Sequence, residues 1–416
     1  MENNNSNGFA SHELADITAK IFSELSDRVL PPASAAAKQP QQFPPLGPDL
    51  YDGTSGLAVF FAAYYRATKD PQARRVALES IAPVRGKIDQ MVANPGMQHN
   101  GPVSIGGLVG LGSFLYALTA LADWLNAPEL LDSASALAGI ITPELIHADH
   151  LLDVMKGSAG TLLALLHFAQ VARTRGIMAD FAVDRAMICG NHLLDSRVAN
   201  DSKPRAWVSS QGHPLAGFVH GAGGISYALA RLYEQTKEEE FRDAAFEGFA
   251  FERTLYVPEQ QGWRDPHSNQ IMEPGSWCHG APGIALARLS CVRSMDEPAV
   301  RHDLEEALSI ARSLPEASDD QLCCGNFGRI DVLHTAGSVL GRLQLSDFAR
   351  ESSRRIVERS ESDNFRFRTP FHENLDEPSH TLKSSLFLGL AGVGYTLLRL
   401  SYPELLPSVL LLEAQT

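Results

Sequence analysis

The sequence predicts an all-α fold, an α/α toroid of seven helical hairpins. Three observations carry that prediction. A Gly-x-x-Gly step followed by an apolar run recurs seven times, each interval also holds a second, more charged helical segment, and the last copy is as apolar as the middle ones. A step repeated along a chain marks stacked supersecondary units. An open stack needs a polar terminal repeat, and the final "SLFLGLAGVGYTLLRL" offers none, so the stack is predicted to close into a ring.

Taken in order, residues 1–48 read as an N-terminal helix, around 13–29, followed by the linker "PPASAAAKQPQQFPPLGP". That Pro/Ala/Gln-rich stretch cannot bury a core. Residues 49–416 read as the toroid. Its steps begin at Gly53, Gly107, Gly157, Gly221, Gly280, Gly325 and Gly389. The runs after them, such as "GTSGLAVFFAAYY" and "GSAGTLLALLHFA", are apolar nearly all round and are predicted to be inner helices. Segments between them, such as "QARRVALESIAPVRGKIDQMV" and "RHDLEEALSIARSL", place apolar residues at i, i+3, i+4 and i+7. These are predicted to be outer helices with one wet face. The glycines allow tight turns and close helix approach. A phosphate-binding reading fails, because no strand precedes the steps and no GKS or GKT completes them.

Composition narrows the function. The chain has 416 residues and a net charge of -14, and it has no run of five Lys or Arg. Nucleic acid and anionic membrane are therefore not expected partners. With no signal peptide and no apolar stretch of membrane-spanning length, the expected location is cytoplasmic. Five cysteines in a reducing compartment read as thiols or metal ligands rather than disulfides.

A repeat allows equivalent positions to be compared. Two and one residues before each step stand Tyr51 and Asp52, Ile105 and Gly106, Met155 and Lys156, Val219 and His220, Cys278 and His279, Cys323 and Cys324, then Phe387 and Leu388. Copies four to six carry His or Cys there, and a ring would bring them to one mouth. Three thiolates suit zinc, which takes soft ligands in tetrahedral geometry and keeps a fourth position open in catalytic sites. Cys278, Cys323 and Cys324 are the candidate ligands, with His279 able to replace one of them. Cys189 and Cys291 lie off this register and read as core. His220 is a candidate acid or base. Asp153, four residues before its step, reads either as a cap or as the carboxylate that orients His220.

With "DVMKGSAG", "FVHGAGG", "SWCHGAPGI" and "CCGNFG" in this order, residues 48–416 resemble the LanC-like cyclase family. The similarity is greatest to the C-terminal cyclase part of class II lanthipeptide synthetases, the LanM enzymes, with Cys-Cys-Gly in place of the Cys-His-Gly of many members. The resemblance implies an α/α toroid with zinc at its mouth. It also implies addition of peptide cysteine thiols to dehydroalanine or dehydrobutyrine, giving lanthionine or methyllanthionine rings. Cys278, Cys323 and Cys324 match ligand positions, His220 the acid/base histidine and Asp153 its acidic neighbour. "MEPGSW" and His279 stand where stand-alone members carry an Arg and a Tyr. His279 is expected to assist His220 or to take the thiol proton.

The expected partner is a dehydrated precursor peptide with its leader, made by a dehydratase domain or protein absent from this chain. Two alternatives are an enzyme joining glutathione or another small thiol to dehydrated proteins, and a non-catalytic zinc-containing toroid that binds peptides. A carbohydrate-active toroid is disfavoured, since no carboxylate pair stands in the mouth register.

Overall fold

The computed structural model describes residues 5–29, 46–94, 104–200, 203–292, 294–363, 365–368 and 384–414. The predicted linker falls mostly outside these residues. Seven inner helices follow the glycine steps: α2 (Thr54–Thr68), α4 (Leu111–Trp124), α7 (Ser158–Thr174), α9 (Ala222–Thr236), α11 (Ala281–Cys291), α13 (Asn326–Leu340) and α15 (Leu390–Ser401). Each packs on the next, and α15 packs back on α2, so the ring is closed. The outer layer is α3 (Pro71–Ala93), α5 (Pro128–Ile140), α8 (Asp180–Asp195), α10 (Glu239–Arg253), α12 (Pro298–Ser313) and α14 (Leu343–Ser362), each against the inner helix before it. A short α6 (Pro143–His147) follows α5.

The seventh outer helix comes from the opposite end of the chain. Helix α1 (Asn5–Val29) packs on α15 and buries Leu14, Ile17, Ile21 and Leu25. The first and last helices thus pack as one hairpin and complete the ring. Helix α1, read from sequence as preceding the toroid, is part of its wall.

The two layers differ as their patterns require. Inner α13 is buried along Asn326–Gly337, whereas α12 buries Val300, Leu304, Ala307, Leu308 and Ala311, a single stripe. Apolar side chains buried on such a stripe contribute about 1.5–3 kcal/mol each. Prolines open α3, α5 and α12 at their first turns, where the missing N–H costs nothing. Residues 405–412 pack against several inner helices at once: the Tyr227 and Tyr395 hydroxyls donate to the carbonyls of Leu411 (3.1 Å) and Pro407 (3.0 Å). Ser408 Oγ donates to Asp331 Oδ1 at 2.5 Å, and Arg399 pairs with the same buried carboxylate. This segment thus ties α9, α13 and α15 together.

Step two differs from its sequence reading. Helix α4 is capped by Gly110, at φ +112°, rather than by Gly107. The sequence "GLVGLG" offers two registers three residues apart, both on glycine, and the fold takes the second, where Gly110 N donates to Asp49 Oδ1 at 2.8 Å. The mouth positions of that repeat are therefore Leu108 and Val109, not Ile105 and Gly106.

Two inner-helix histidines carry a stability prediction. Burial lowers His167 to about 4 and His334 to about 3, and neither ring nitrogen of His167 has a hydrogen-bond partner. Both folded values lie below the ordinary 6.5, so on acidification the unfolded chain takes up protons first. Stability should be intact above pH 7 and fall by about 1.4 kcal/mol per site for each pH unit between roughly 6.5 and 4. Denaturant titrations at pH 7 and pH 5 measure this, and equal stabilities would contradict it.

Candidate functional site

A belt of backbone hydrogen bonds sets the geometry of the mouth. The N–H of Tyr51 donates to Leu108 O (3.1 Å), Leu108 to Met155 O (3.2 Å), Val154 to Val219 O (3.2 Å) and Val219 to Cys278 O (3.2 Å). Trp277 then donates to Cys323 O (3.0 Å), Cys323 to Phe387 O (3.0 Å), and Phe387 returns to Tyr51 O (3.1 Å). Equivalent residues of all seven repeats are thereby held at one level. Cys278 and Cys323 are neighbours on this belt.

The sulfurs converge. Cys278, Cys323 and Cys324 each place Sγ within 4.8 Å of the others. Cys324 Sγ lies 3.7 Å from Cys278 Sγ and 3.4 Å from Cys323 Sγ. A tetrahedral zinc with bonds of about 2.3 Å has sulfur–sulfur edges of about 3.8 Å, so the three thiols are preset for such an ion. Cys278 and Cys323 are buried and Cys324 is half-buried, which leaves one side approachable. Among the described residues this is the one group with the donors and spacing to hold a metal. His279 is not part of it.

The electrostatics favour a cation. Hydrogen bonds from Cys278 and Cys324, then from Tyr51, hold the Cys323 thiol well below its ordinary range. The bond to Cys323 drives Cys278 well above its own. Cys324 is pushed up to about 12: its contact with Cys278 lowers it, but its bond to Cys323 and burial outweigh that. Each thiol gives up its proton when it ligates a metal. A soft divalent cation replaces those protons. Helices α11 and α13 begin just after these cysteines, and their N-terminal dipoles add to the stabilisation of anionic sulfur.

Beside the sulfurs, His220 Nδ1 lies 2.7 Å from Asp153 Oδ2. Asp153 is buried, and its other oxygen accepts from Lys156 N at 2.7 Å. An ionised carboxylate can only accept, so Nδ1 carries the proton and Nε2 is left for the mouth. The ring of His279 stacks on that of His220, centroids 5.7 Å apart. Burial, then the neighbouring His220, lowers His279, so it is neutral at pH 7. Cys189 and Cys291 are buried within α8 and α11, away from the belt.

Why glycine is needed is clearest at the His220 step. A Cβ on Gly224 would sit 1.7 Å from Phe218 O, and one on Gly221 2.3 Å from the carbonyl carbon of Ala216. Neither backbone contact can yield.

Sequence reasoning missed two neighbours. Tyr51, half-buried and stacked on Phe387 at 5.2 Å, is raised by burial and then by the Cys323 and Cys278 charges. Its mouth position in the first repeat was the available signal. Glu273 is raised by partial burial and then by Cys324 beside it, and nothing in "MEPGSW" foretells that contact.

The fold and the mouth together define a closed α/α toroid presenting a cluster of three thiols with the spacing to hold a metal, beside a histidine paired with Asp153. The chain belongs to the lanthionine synthetase C-like family, whose model matches residues 44–411. It is similar to the lacticin 481/lactococcin biosynthesis protein LcnDR2 of Lactococcus lactis subsp. lactis, at 23% identity over 311 residues. That match covers 70% of this chain and 30% of the relative, so the chain spans less than a third of that protein's length. It shares its fold with a solved structure of nisin cyclase, with a TM-score of 0.63 and 16% identity over 94% of this chain and 98% of that one. Among the described residues, no helix is long and apolar enough to cross a membrane.

Proposed function

We propose that residues 49–416, with α1 as the closing wall, form a zinc-dependent cyclase. It adds cysteine thiols of a dehydrated precursor peptide to dehydroalanine or dehydrobutyrine, forming lanthionine and methyllanthionine. The observation that carries this reading is the convergence of three sulfurs and the His220–Asp153 pair on one mouth, in a family named for lanthionine synthesis. Dehydration falls to a separate domain or protein.

Cys278, Cys323 and Cys324 would hold the zinc. When bound, zinc keeps a thiol deprotonated near neutral pH, where a free cysteine titrates near 8.5. The residues then divide the work. Neutral His279 is placed to take the entering thiol's proton. The thiolate sulfur bonds to the β-carbon, the double-bond pair moves to the α-carbon and its carbonyl, and the α-carbon takes one proton. His220 enters the step protonated at both ring nitrogens, with Nδ1–H held by Asp153, and delivers its Nε2 proton. The proton taken up by His279 replaces it through solvent, so the count closes. One S–H adds across one C=C, and nothing is oxidised or reduced.

The test is a thiol count, because cyclisation leaves mass unchanged. The zinc-loaded protein is incubated with a peptide carrying one dehydrobutyrine and one cysteine, then alkylated. Loss of the alkylatable thiol at constant mass is expected. A thiol count that stays at one overturns the reading. Gain of a glutathione mass, when that thiol is supplied, would replace it with small-thiol addition.

A further inference from the structure

Among the buried charges, one group ends on the turn that carries His220. Glu252, on outer helix α10, is fully buried. Its Oε1 accepts from Gly217 N at 2.6 Å and from Gly223 N at 2.9 Å. These amides lie three residues before and three after His220, so one oxygen grips both ends of the turn. Its Oε2 is paired with Arg288 of α11, which is 1% exposed and stacked over Phe249 at 4.2 Å. Arg288 also reaches Asp303 at 3.5 Å, and Asp303 takes Arg253 through two bonds of 2.8 and 2.9 Å.

The gripped turn lies directly against the sulfur site. Gly217 has φ +118°, and a Cβ there would stand 2.4 Å from Cys278 O and 2.7 Å from His279 Cα. Phe218 N and Val219 N both donate to Cys278 O, at 2.9 and 3.2 Å. A shift of the turn therefore moves His220 against both Cys278 and His279. At the third step a carboxylate of the preceding loop supplies part of such a grip, since Asp149 Oδ2 accepts from Ser158 N at 2.7 Å. The fourth step instead takes its acceptor from the outer layer, and burying a carboxylate there has to be offset by Arg288.

We infer that Glu252 is a positioning residue for His220, its buried carboxylate fixing the turn so that the imidazole stands at a set place beside Cys278 and His279. Arg288 makes that carboxylate tolerable, and the Asp303–Arg253 pair anchors Arg288 towards the surface. The inference rests on the reading of His220 as proton donor, and its test includes a signal that needs no catalysis.

Two double variants separate the grip from the charge. E252L/R288M removes the accepting oxygen together with both charges, while E252Q/R288M restores a neutral oxygen in the same place. The first readout is the low-field proton resonance of His220 Nδ1–H against Asp153, assigned by its absence in H220A. The second is the rate of ring closure in zinc-loaded protein. E252L/R288M should lose the resonance and slow kcat about 100-fold with KM little changed, the scale of a misplaced reacting group, and E252Q/R288M should recover to within about tenfold of the unaltered protein. G223A supplies a second probe should E252L/R288M fail to fold: its Cβ would lie 2.8 Å from both Glu252 oxygens, and the same two losses are expected. Retention of resonance and rate in E252L/R288M or in G223A overturns the inference, as does an equal fall in the Leu and Gln variants. If the unaltered protein closes no rings while the resonance follows the stated pattern, the positioning role stands and the cyclase reading falls.

Discussion

Replacing Cys324 by alanine is expected to weaken zinc binding by at least about 100-fold, since loss of a mere outer partner of a ligand already costs 10–100-fold. Ring closure should fall with it. The expectation follows from the sulfur geometry, in which Cys324 lies 3.7 and 3.4 Å from the other two thiols. H279A is the decisive comparison, because sequence spacing leaves His279 open as the third ligand. Its ring stacks on His220 and lies outside the thiol group, so H279A should keep its zinc. C291A should keep it as well: that thiol is buried in α11 and pushed up to about 12, chiefly by burial. Metal content after dialysis against a chelator of known affinity measures all three variants. Zinc retained in C324A and lost in H279A would transfer the ligand role to His279.

Legibility of the fold in the sequence followed the range of each interaction. The inner and outer helices could be read because their periodicity is local, and Cys278 and Cys323 could be matched because glycine steps give a register. The pairing of α1 with α15 has no local signal, since the two segments lie at opposite ends of the chain and only closure of the ring joins them. The three-residue slip at Gly110 arose because "GLVGLG" permits two registers, both on glycine, and contacts from distant residues, such as Asp49 accepting from Gly110 N, have no local signal. Glu252 sits in "FEGFAFER", where a glutamate in an amphipathic helix reads as a wet-face residue. Only the packed structure puts it at 0% exposure between Arg288 and two glycine amides.

Metal binding and proton delivery should separate when the second partner of the mouth is removed. H220A is expected to hold zinc normally and to slow ring closure by about 10²–10⁴-fold, the range that a positioned acid or base supplies. His220 lies outside the thiol group, and its partner is Asp153 at 2.7 Å. D153N should fall in the same direction, because an amide can present its NH2 to Nδ1 and so release the tautomer that leaves Nε2 for the mouth. Stereochemistry gives the sharper measurement. A donor fixed on one side of the α-carbon sets one configuration there, whereas water, once the imidazole is gone, can protonate either face. The residual product of H220A should therefore be a mixture of epimers at the new α-centre, resolved by chiral chromatography after hydrolysis. A slow variant that still makes one epimer would move proton delivery away from His220, and His279, stacked 5.7 Å away on the same mouth, would be the next residue to replace.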